Sequence, residues 1–201
     1  MRRLLLLFIP AMTVAFTSEP DVLVHRLIVQ PSSTLTIDGK TNVNKFSCAI
    51  SQYMGTDTLV LREGGRNVKP VFTRGIVSLD ASGFDCGMAA MTSDFHKTIR
   101  SKTFPAIVIE FILFERVPSY AYKEEKFKGI MKISLGGTTN LFEVDCTIEA
   151  SPSGMIYLRG ARNFKFSDFN LEPPAHMFGL VRVEDSLKVS FKLVLKLDAN
   201  S

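Results

Sequence analysis

The chain has 201 residues, 46% of them hydrophobic, with Lys+Arg 24 against Asp+Glu 20 and a net charge of +4. That is enough chain for one sizeable core. Its basic residues are interleaved with acids, as in Arg62-Glu63 and Lys123-Glu124-Glu125-Lys126, whereas a nucleic-acid binder needs a clustered basic face, so no nucleic-acid partner is expected.

Residues 1–18 read as a cleaved secretory signal and 19–201 as one mature domain. Arg2 and Arg3 precede the apolar run Leu4 to Phe16, and both Thr13-Val14-Ala15 and Thr17-Ser18 offer small residues at a cut. An uncleaved anchor is the weaker alternative. Spanning a bilayer takes about 20 apolar residues, and Glu19 and Asp21 interrupt this run too early. No Cys follows the run to accept a lipid. Losing Arg2 and Arg3 halves the net charge, and the expected location is periplasmic or secreted, not integral to the membrane.

Alternation with period 2 dominates the mature sequence. Val43 to Ile50 sets Phe46, Cys48 and Ile50 on one face, and Gly64-Gly65 marks a hairpin region. Thr92 or Ser93 is expected to cap a short helix through Ile99, with Asp94 at its positive end and Lys97 and Arg100 towards its negative end. Pro105 then imposes an extended entry into Pro105 to Phe114, apolar enough to be covered on both faces. Phe127 to Leu135 and Asn140 to Ala150 flank Gly136-Gly137, a hairpin signal. Ser151-Pro152-Ser153-Gly154 turns into Met155 to Gly160, and Pro173-Pro174 precedes a strand at Gly179 to Val183.

The last run is the clearest. Leu187, Val189, Phe191, Leu193, Leu195 and Leu197 share one face, while Lys188, Ser190, Lys192 and Lys196 share the other, and only Val194 breaks the polar side. Eight or more such strands with one short helix predict an all-β antiparallel barrel or sandwich. A fully apolar inner face on the last strand favours closure.

Catalytic chemistry is sparse. His25, His96 and His176 lie in separate segments, without metal-ligand spacing, a glycine-flanked nucleophile or a phosphate-cradling loop. Neither an enzyme, a metal site nor a cofactor is expected, and His96 reads as a solvated helix residue. Cys48, Cys86 and Cys146 are each in phase with apolar neighbours, so all three should point inward. Cys48–Cys86 is the favoured disulfide in an oxidising compartment. Spacing alone leaves the pairing open, and Cys146 would remain a buried thiol.

The inward set is the functional clue. Phe46, Phe84, Met88, Met91, Ile107 and Ile109 belong to it, as do Phe111, Met131, Ile133, Phe142 and Val144, then Ile148, Leu158, Phe191 and Leu193. Sixteen Phe without a Trp make this lining wide and free of hydrogen-bonding demands. One reading is a packed core, the usual filling of a small barrel, with any interaction surface outside. The other is a tunnel for a lipid. Burying one five-carbon isoprene unit is worth on the order of 3 kcal/mol. Polar rim residues Asn42, Asn44, Arg159 and Asp168 would then meet the head group.

Several segments together resemble the YceI-like family. Met91-Thr92-Ser93-Asp94-Phe95-His96 followed by Phe104-Pro105-Ala106-Ile107-Val108-Ile109-Glu110-Phe111 is similar to its helix-to-strand signature. Lys128-Gly129-Ile130-Met131-Lys132-Ile133, Gly137-Thr138-Thr139 and Phe166-Ser167-Asp168-Phe169 follow in the family's order. The resemblance covers Leu35 to Leu197. It implies a lipocalin-like antiparallel β-barrel of about eight strands in the bacterial envelope, holding a polyisoprenoid or other long-chain lipid, as a monomer or homodimer. The family's opening Trp is replaced at Leu35-Thr36-Ile37-Asp38, its His-Ser pair by Thr41-Asn42, and its Arg-Asp by Ser93-Asp94; these positions could meet a head group, so ligand identity does not carry over.

Overall fold

The computed structural model describes residues 22–50, 53–65, 67–176 and 180–198, and the signal assigned to residues 1–18 lies outside them. The strands are β1 Val24–Val29, β2 Thr34–Lys40, β3 Lys45–Ile50, β4 Thr58–Arg62, β5 Val71–Arg74, β6 Ile76–Asp80, β7 Ala106–Phe114 and β8 Glu125–Leu135, then β9 Thr138–Ala150, β10 Met155–Lys165, β11 Ala175–His176, β12 Val181–Arg182 and β13 Ser186–Leu197. Helix α1 runs Ala89–Thr98.

Among the described residues, eight strands close an antiparallel barrel in the order β1-β4-β5-β7-β8-β9-β10-β13, with β13 returning to β1. The long strands β8, β9, β10 and β13 form one continuous wall. Gly136 and Gly137, with φ of 57° and 89°, make the tight β8–β9 turn that few residues other than Gly adopt twice in succession. Alternation then buries one face: Phe142, Val144, Cys146 and Ile148 in β9, and Phe191, Leu193 and Leu195 in β13.

Two strands split one edge between partners, so the two ends of the barrel are built differently. The edge of β13 pairs with β2 from Lys188 to Lys192 and with β1 from Leu195 to Leu197. The changeover falls at Val194, where Gln30 N–H donates to the carbonyl (2.8 Å) and the Val194 N–H donates to Ser33 Oγ (2.9 Å). That crossing explains the single apolar residue on the polar side of β13, which is buried. On β7, β6 pairs from Ala106 to Glu110 and β5 at Leu113.

At the end bounded by β2, β3 and β6, the seam is held by reciprocal Ala49–Asp85 backbone bonds of 2.8 and 3.0 Å. The Cys48–Cys86 disulfide is formed beside them, and Cys146 is free and buried. The opposite end is filled with aromatic rings: Phe72, Phe111, Phe114 and Phe127 stack edge-on or tilted, at centroid distances of 4.7 to 6.4 Å. Outer positions of β13 carry Lys188, Lys192 and Lys196. Apolar inside and charged outside is the reverse of a transmembrane barrel's pattern. Among the described residues, no helix is long and apolar enough to cross a membrane.

The helix starts earlier than its sequence predicts. Met88 precedes it without a side-chain cap, and Thr92 lies inside it. The Thr92 hydroxyl accepts from Cys86 N–H and donates to Asp85 Oδ1, both at 3.0 Å. Strand β10 also continues beyond Gly160 to Lys165. Strands β1, β2, β4, β5, β6 and β11 add to those read from alternation. β7 is covered less evenly than its composition suggests, since its outward residues are half-exposed.

Candidate functional site

The disulfide end holds a cavity of about 70 Å³. Its walls come from Leu35 and Ile37 of β2, Ile107 and Ile109 of β7, Ile133 of β8 and Val189 of β13. Lys165 is the one charged residue among those around it, and it is exposed. The floor is made by a 3₁₀ turn, Phe166–Phe169, whose first and last rings are both buried. Asp168 shapes that turn by accepting the Lys165 N–H at 2.8 Å.

Over the cavity lies α1, and beneath the helix runs a second pocket of about 200 Å³ with Phe46, Met91, Val181 and Val183 in its wall. Phe95 and Phe166 belong to both spaces, so two rings form the partition. No residue of α1 is buried. It is held by the Phe84–Phe95 ring contact at 5.4 Å, the His96 Nε2 contact with the Phe84 carbonyl at 3.1 Å, and the Asp85–Thr92 bond. Backbone donation from Gly87, followed by the Thr92 hydroxyl, holds the Asp85 carboxyl below its ordinary value.

The fifteen apolar residues expected to face inward fall into distinct groups. Ile107, Ile109 and Ile133 line the cavity, and Phe46, Met88 and Met91 line the pocket under the helix. Phe111, Phe191 and Leu193 border a cleft of only about 10 Å³ deeper in the barrel. Phe84, Met131, Phe142, Val144, Ile148 and Leu158 are buried in the packed core. Met88 differs from the expectation of an inward side chain: it is 63% exposed, because it precedes the helix at the rim.

The polar residues expected at the rim are mostly engaged elsewhere. Asn42 Nδ2 donates to the Leu180 carbonyl at 2.8 Å and Asn42 Oδ1 accepts the Arg182 N–H at 3.0 Å, clamping two rim loops together. Asn44 is exposed on the same turn. Arg159 is on the outer wall, 3.1 Å from Glu149 Oε2. Asp168 serves its turn. His96 is half-buried and bonded rather than solvated.

Sequence reasoning did not assign Phe95, Phe166 or Phe169 to the site. Phe166 and Phe169 lie in the 3₁₀ turn that follows β10, where strand alternation ends, whereas Phe164 is still in phase with Ile156 and Leu158 of that strand. Leu187 and Val189 stood on the apolar face of β13 and were legible.

Solved structures share this architecture. A polyisoprenoid binding domain from Saccharophagus degradans aligns over 86% of this chain and 98% of its own length, with TM-score 0.61 and 8% identity. The chain shares the fold of that domain. BcnA of Burkholderia cenocepacia aligns over 81% of this chain and 95% of its own, with TM-score 0.59 and 17% identity. A YCEI protein of Campylobacter jejuni aligns over 65% and 72%, with TM-score 0.47 and 14% identity. At these identities the likeness to the first two shows the barrel fold alone. No protein-family model matches the sequence, and neither does any curated protein.

Proposed function

We propose that this protein is a non-catalytic carrier that holds a long apolar lipid, a polyisoprenoid or a similar chain, at the helix end of the barrel. Its setting is the bacterial periplasm or the exterior, reached through the cleaved signal at residues 1–18, and its role is transport, storage or sequestration. The observation that carries this reading is the apolar cavity beside the pocket under α1, with the Phe95 and Phe166 rings in the walls of both.

The cavity sets a condition. About 70 Å³ is under half of the roughly 150 Å³ that accepts benzene in an engineered core. A chain therefore enters by displacing the two partition rings and joining both spaces, rather than by threading the whole barrel. The far end, filled by Phe72, Phe111, Phe114 and Phe127, stays closed. Burial of a few isoprene units, each on the order of 3 kcal/mol, offsets the lost ring contacts.

Titration with a fluorescent prenyl probe tests this. Wild-type protein should saturate at one site, and Ile133→Trp, which fills the cavity, should abolish binding without loss of fold. No saturable binding by wild-type protein would overturn the reading. It would leave a packed barrel acting through its outer surface, which the small volume of the cavity favours as the alternative.

A further inference from the structure

The rim around the pocket under α1 carries an amphipathic pattern that the interior does not require. Val43 is 67% exposed, Leu180 71% and Met88 63%. Met88 lines the pocket, Val43 lies two residues from the pocket residue Thr41, and Leu180 directly precedes the pocket residue Val181. The loops bearing Val43 and Leu180 are fastened by Asn42, whose side chain bonds Leu180 and Arg182. They are fastened again by the Thr41–Val183 bridge. Three large apolar side chains are thus held in water around one opening.

Cations stand beside them. Lys40 and Lys45 face each other directly across β2 and β3, where like charges cost stability. Among the described residues, neither forms an ion pair. Lys97 and Arg182 add to them, against the carboxylates of Asp94, which pairs with Lys97 at 3.7 Å, and Glu184. An apolar rim with a surplus of Lys and Arg is the composition that seats on an anionic lipid surface.

We propose that this mouth docks on an anionic bilayer, with Val43, Leu180 and Met88 entering the interfacial layer and Lys40 and Lys45 meeting lipid phosphates. The proposal rests on the carrier reading, since an apolar chain that leaves the cavity through water forfeits its burial. Docking brings the opening directly against hydrocarbon. Both lysines then find the anionic partners that the fold does not give them.

Flotation of the mature chain with vesicles tests it, using phosphatidylcholine alone or phosphatidylcholine with phosphatidylglycerol. Wild-type protein should float with the anionic vesicles and not with the neutral ones, and added salt should release it. Val43→Glu/Leu180→Glu and Lys40→Glu/Lys45→Glu should each lower binding by at least about tenfold, while the prenyl probe still binds both variants without vesicles. Docking is overturned if wild-type protein ignores anionic vesicles, or if both double variants float like wild type. Loss of probe binding by wild-type protein, with flotation unchanged, overturns the carrier reading and removes the stated reason for docking. The two failures are therefore distinguishable.

Discussion

Reducing the Cys48–Cys86 disulfide should destabilise the barrel substantially. The bridge joins residues 38 apart in sequence, and the loop-closure entropy released in the unfolded chain corresponds to about 4 kcal/mol at 25 °C. Reduction isolates the cross-link better than substitution because both sulfurs stay in place, at sites where Cys48 is 0% and Cys86 7% exposed. The assay is urea unfolding of oxidised protein against protein unfolded, reduced and refolded in reductant. With a slope of about 2 kcal/mol per molar urea, the midpoint should fall by about 2 M. A fall smaller than about 0.5 M would refute the reasoning. It would mean that residual structure already constrains the reduced unfolded chain, so that the cross-link removes little further entropy.

Cys146 should be inert to a thiol reagent at pH 8 in the native protein and react on unfolding, because burial pushes its thiol up to about 12. Its contribution to stability is then complete below the ordinary value of 9.0 and is lost as pH rises towards about 12, which urea midpoints across that window would show. Gly160→Ala should cost about 1–3 kcal/mol, because the added Cβ would lie 2.3 Å from the Phe191 ring; Phe191→Leu in the same chain should recover part of the loss in thermal melts. Asn42→Ala should speed hydrogen exchange at the Arg182 amide, which donates to Asn42 Oδ1. The Val183 amide, bonded to the Pro174 carbonyl, should serve as an unchanged reference, and equal acceleration at both would contradict the clamp.

What could be read from sequence was what repeats locally. β9 and β13 announce themselves by alternation, the Gly136-Gly137 turn by its composition, and the inward direction of the three cysteines by phase with apolar neighbours, whereas their pairing is set by the fold. The short strands β4, β5 and β6 did not, since four or five residues carry too few alternations and β5 has no buried residue. Closure itself depends on β13 exchanging β2 for β1 at Val194, a contact across most of the chain. The same limit applied to the site. Ile107, Ile109 and Ile133 were legible on regular strands, whereas Phe166 and Phe169 enter through a 3₁₀ turn. Asn42 looked like a free rim group because its partners, Leu180 and Arg182, are 138 and 140 residues away.

The carrier reading stands or falls on what the protein holds in its own setting. Mass spectrometry of an organic extract from protein purified out of its native envelope should show one long-chain isoprenoid or similar lipid in stoichiometric amount, absent from Ile133→Trp prepared alongside. A clean extract from wild-type protein, or the same lipid in equal amount from both, would contradict it.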